Sequence, residues 1–80
     1  MNDEIYKLTH DLQKCIQEEN YGRLRNILNK ISPELKEGLI EYLDKFNTYI
    51  NRWSDEDPEK EGKLNYFKVL KEIVQKYSSH

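Results

Sequence analysis

Eighty residues make one domain, and a chain this short buries only about 60% of the surface it exposes when unfolded, so its core has little margin. The hydrophobic share is 36%, mean hydropathy -1.00 and net charge -2, which is low in apolar content for a free-standing globule, yet the apolar residues are periodic where a disordered chain would scatter them. No run of eighteen apolar residues is present and the first residues (Met1, Asn2, Asp3, Glu4) are acidic, so neither a membrane span nor a secretion signal is expected, and the chain reads as cytoplasmic.

The elements follow from the spacing of apolar residues, which is helical throughout; no stretch alternates with period two for long enough to make a strand. The expected class is all-α, a small antiparallel bundle of four helices over about 3–18, 21–30, 33–53 and 58–77, with completion by homodimerisation as one form of it. The first helix starts behind Asn2 or Asp3 and carries Ile5, Leu8, Leu12, Cys15 and Ile16 on one stripe. Cys15, the single cysteine, cannot staple the fold to itself, and its place on that stripe makes it a packing residue. The second helix opens after Asn20 and turns Leu24, Ile27, Leu28 and Ile31 to one side.

Ser32-Pro33-Glu34 ends the second helix and starts the third: proline disfavours helical geometry in the residue before it and suits the first helical position, with Ser32 as cap. So tight a turn predicts that the second and third helices are neighbours. On the third, Leu39, Leu43, Phe46, Ile50 and Trp53 recur at spacings of four and three, with Leu35, Tyr42 and Tyr49 beside them, and Phe46 is the candidate for the centre of the core. So broad an apolar arc needs more than one neighbour. Ile40 falls outside it, exposed and either unremarkable or an anchor for a partner, and with Gly38 marks where a second surface approaches. The Ser54–Pro58 break leads to the last helix, with Tyr66, Phe67, Leu70, Ile73, Val74 and Tyr77 inward, and Ser78, Ser79 and His80 are expected to fray.

Chemistry-bearing residues are few. There is no HExxH, no CxxC and no glycine-rich loop, so no enzyme, metal site or cofactor is expected. His10 lies on the helix face opposite Leu8 and Leu12 while Cys15 lies on the apolar face, which separates them as a nucleophile pair. The phrase Leu8-Thr9-His10-Asp11-Leu12 resembles the phosphoacceptor box of histidine-kinase dimerisation domains, which implies a phosphotransfer role for His10. The likeness covers five residues and departs from that family at Gln13, Lys14 and Cys15, where a basic residue and then a proline belong.

A calcium loop needs carboxylates at alternate positions with a glycine at the sharp turn; in the acidic run Asp55, Glu56, Asp57, Glu59 and Glu61 that pattern is interrupted by Pro58, and the run reads as a solvated turn that supplies charge to the start of the last helix. Arg23, Arg25 and Lys30, with Lys63, Lys68, Lys71 and Lys76, are the basic residues open to nucleic acid. A helix-turn-helix fails because the would-be recognition helix carries Glu34, Glu37, Glu41 and Asp44, which repel phosphate.

Protein contact remains. Six tyrosines and one tryptophan stand mostly at the margins of the stripes, where one end of the ring is buried and the other wet. Ile40, Tyr42, Tyr49, Trp53, Tyr66 and Tyr6 are therefore the expected interface residues. The chain contains no alanine and is rich in Lys, Asn, Ile and Tyr, whose codons are AT-rich, which suggests a low-GC bacterium, its phages and plasmids, or an archaeal virus. The expected function is a small non-catalytic protein that binds another protein and inhibits or regulates it, as an accessory product of a phage or mobile element. The alternatives are an immunity protein against a bacteriocin or toxin, a DNA-binding regulator and a phosphotransfer module.

Overall fold

The computed structural model describes residues 3–78 and is an all-α bundle of four helices: α1 (Asp3–Gln17), α2 (Tyr21–Lys30), α3 (Pro33–Asn51) and α4 (Lys60–Tyr77). No described helix is long and apolar enough to cross a membrane. The Asn2 cap and the fraying of Ser79 and His80 lie outside the described residues.

The helix boundaries have local causes. α1 ends in a Schellman turn, in which the Asn20 N–H donates to the Cys15 carbonyl (2.8 Å) and the Glu19 N–H to that of Ile16 (3.1 Å), with Glu19 in the left-handed region at φ 56°. Asn20 then caps α2, its side chain accepting from the Arg23 N–H at 3.3 Å. Ser32 accepts from the Leu35 N–H at 3.1 Å and Pro33 occupies the first turn of α3. α3 stops at Asn51, two residues earlier than its apolar spacing predicts, because the Arg52 and Trp53 N–H groups fold back onto the Tyr49 and Ile50 carbonyls. α4 starts at Lys60, two residues after Pro58: Asp57 Oδ1 accepts the Glu59 N–H at 2.9 Å and holds the chain in a turn until there.

Leu8, Leu12, Cys15, Leu24, Leu28, Ile31, Leu39, Leu43, Leu70 and Val74 make one buried cluster, drawn from all four helices and the α2–α3 link. α3 and α4 form the most extensive pair and run antiparallel: Asp44 meets Lys71, Phe46 meets Phe67 and Trp53 meets Lys60, so position on α4 falls as position on α3 rises. α1 packs on α2 and α3, and α2 on α4.

The expected side-by-side packing of α2 and α3 is absent. Ile31 and Ser32 are extended (ψ 148° and 160°), so the link carries the chain across the bundle diagonal, where a turn back would have made a hairpin. The bundle is thus two helical hairpins, α1–α2 and α3–α4, laid against each other. Two core expectations on α3 change as well. Ile40 is half-buried against the main cluster, not exposed, because α3 has helices on two flanks and its buried arc is wide. Phe46 is half-buried outside that cluster, not at its centre, because α3 turns Leu39, Leu43 and Ile50 inward and sets Phe46 at the edge of that face, against Phe67 and the groove.

Candidate functional site

Beyond the start of α1, one flank of α3 is left uncovered by the described residues and becomes the wall of a groove of about 990 Å³. Its lining from α3 is Gly38, Glu41, Tyr42, Lys45, Phe46 and Tyr49, a three-and-one spacing that keeps five side chains and the bare Gly38 on one face over three turns, about 16 Å of helix. α1 contributes Asp3 and Ile5, which close one end.

Gly38 gives the tip of Ile5 its place there: a Cβ on residue 38 would stand 2.7 Å from Ile5 Cδ1, which would have to turn aside.

The groove wall is anchored by a ladder of rings. Tyr42 meets Phe46 edge to face (centroids 4.9 Å apart, planes at 72°), Phe46 stacks on Phe67 (5.2 Å, 8°), and Phe67 meets Tyr66 edge to face (5.3 Å, 78°). These arrangements are the favourable ones for the ring quadrupole, and they tie the groove to α4. At the far end Tyr49 meets Trp53 edge to face at 5.9 Å, and the Lys63 ammonium stands 5.3 Å from the Trp53 ring centroid. Lys60 fixes the loop beyond by donating to the Trp53 carbonyl at 3.0 Å and to Asp55 Oδ1 at 2.6 Å. That ammonium holds the Asp55 carboxyl below its usual range through the hydrogen bond and its charge.

The charges along the groove are graded. Asp3 and Glu41 stand toward the α1 end and Lys45 further along; neither Glu41 nor Lys45 forms an ion pair with a described residue.

The expected interface residues separate accordingly. Tyr42 and Tyr49 line the groove, Tyr49 with 61% of its surface exposed, and Trp53 sits half-buried just past its far end. Tyr66 backs the ladder from α4; its hydroxyl is buried without a hydrogen-bond partner, and burial raises its pKa. Tyr6 is 63% exposed on α1 but does not line the groove, and Ile40 is half-buried against the core. The spacing had not singled out Glu41, Lys45 and Ile5 for this surface. Glu41 and Lys45 flank Tyr42 and Phe46 at i, i+4, and that was the signal available for them.

The other chemistry-bearing residues are dispersed. His10 and Asp11 are exposed on α1 while Cys15 is buried, and among the described residues no group of three or more His, Cys, Asp or Glu side chains is placed to hold a metal ion. Arg25 of α2 and Lys76 of α4 meet at one ring, 5.0 and 5.5 Å from the Tyr77 centroid, whereas Lys63 lies over Trp53 and Lys71 donates to Asp44 at 2.7 Å. No protein-family model, no curated protein and no solved structure gives a significant match to this chain.

Proposed function

We propose that this is a non-catalytic cytoplasmic protein that binds another protein through the α3 groove and thereby inhibits or regulates it. The observation that carries this reading is the uncovered Tyr42, Phe46 and Tyr49 face, held in shape by the ladder into α4 although the main core closes without it. Rings already fixed by their neighbours lose little freedom on binding, and large aromatic side chains around a groove are the usual source of interface energy. A groove three turns long fits a helix or an extended segment with apolar residues on one side. Seated there, the partner's segment is withheld from its own surroundings, which is how so small a domain inhibits. The AT-rich composition fits an accessory product of a phage or mobile element.

The test is affinity capture from cells of the source organism with the wild-type chain and with the Tyr42→Ser/Tyr49→Ser variant, both checked for helical content. A discrete protein retained by the first and lost by the second is the expected result. Equal retention by both would place the contact elsewhere.

A further inference from the structure

The charge pattern of the groove points to what fills it when the partner is absent. We infer that the occupant is a second copy of this chain, with the two α3 helices antiparallel across a two-fold axis that passes between Glu41 and Lys45. This rests on reading the groove as a protein-contact surface. In a two-fold interface residue i meets j and j meets i, so a face pairs with itself only if reversing it brings opposite charges together. This face meets that condition. Glu41 and Lys45 are four residues apart and both exposed, and neither has an ion-pair partner among the described residues of its own copy.

With the axis between them, Glu41 of each copy stands opposite Lys45 of the other. The Tyr42 and Phe46 rings then cover one another across the axis, and the Asp3 end of each groove comes over the Lys45–Tyr49 end of its mate. A uniformly basic helix in the groove would satisfy Asp3 and Glu41 but oppose Lys45. Three turns of helix are a small contact beside the ~800 Å² per partner of a standard interface, so the dimer is a reversible one that a stronger-binding partner displaces.

The experiment is sedimentation equilibrium of the full chain across the micromolar range, with Lys45→Glu, Glu41→Lys and the double exchange Glu41→Lys/Lys45→Glu, each checked by circular dichroism. The wild type is expected to dimerise, and each single reversal to weaken dimerisation by about tenfold or more because two-fold symmetry turns both pairs repulsive at once. The double exchange restores opposite charges across the axis and is expected to dimerise as the wild type does. A wild type that stays monomeric, single reversals that dimerise normally, or a double exchange that stays monomeric would each overturn the inference. A monomeric wild type would leave the partner-capture result standing, while capture that ignores Tyr42 and Tyr49 would remove the reading beneath both.

Discussion

Phe46→Ala separates the groove wall from the core, and its cost follows from where the ring sits. Complete burial of a phenylalanine contributes about 1.5–3 kcal/mol, so a half-buried ring accounts for roughly 1–1.5. The edge contact with Tyr42 and the stack on Phe67 border the open groove and add about 0.5 kcal/mol each, the low end for ring pairs. The ring borders an open groove, so its removal leaves no sealed cavity and no cavity cost is added. The expected loss is about 2 kcal/mol, against about 3–5 for Leu43→Ala, whose side chain is 0% exposed within the main cluster. A domain of 80 residues has about 4–12 kcal/mol in all, so Phe46→Ala should fold cleanly while Leu43→Ala approaches the threshold. Urea unfolding followed by far-ultraviolet circular dichroism measures both. A loss for Phe46→Ala equal to that for Leu43→Ala would put the ring in a sealed core, and a loss below about 0.5 kcal/mol would mean that the ladder contributes nothing.

Three further substitutions test other parts of the fold. Glu19→Gly relieves a left-handed residue in the α1 cap and should stabilise by about 1 kcal/mol in the same urea assay. Gly38→Ala should be nearly neutral, since a helix gain of about 1 kcal/mol offsets the displacement of Ile5 Cδ1, whereas Gly38→Val should cost about 1–3 by forcing α1 outward. Tyr66→Phe removes a buried hydroxyl that has no partner and should stabilise by about 1 kcal/mol at neutral pH. Because burial raises the folded-state pKa of Tyr66 above its ordinary 10.0, its contribution is fully present below that value and is lost as pH rises through the folded-state pKa; the advantage of Tyr66→Phe should therefore widen above pH 10.

Much of the fold was legible because local rules and tertiary packing agree: Asn20 and Ser32-Pro33 cap the helices they were expected to cap, and the α2 stripe is buried at Leu24, Leu28 and Ile31. The discrepancies arise where they compete. Trp53 continues the spacing of α3, yet the backbone has already turned at Arg52, because a large apolar residue can pack from a turn as well as from a helix. The α2–α3 link is short enough for a hairpin, and only the extended angles at Ile31 and Ser32 reveal that it crosses the diagonal. Periodicity identified the α3 stripe but could not say which flank α1 leaves open. That depends on Ile5 meeting Gly38, a contact between residues 33 positions apart in the chain.

The groove as a protein-contact surface is tested most directly by placing a photo-crosslinking residue at Tyr49, on the groove, and separately at Glu72, exposed on α4, and irradiating in cells of the source organism. A discrete adduct whose mass differs from that of two 9.7 kDa chains is expected from position 49, beside the two-chain adduct of the reversible dimer, and neither is expected from position 72. The same adduct from both positions, or none from position 49, would contradict it.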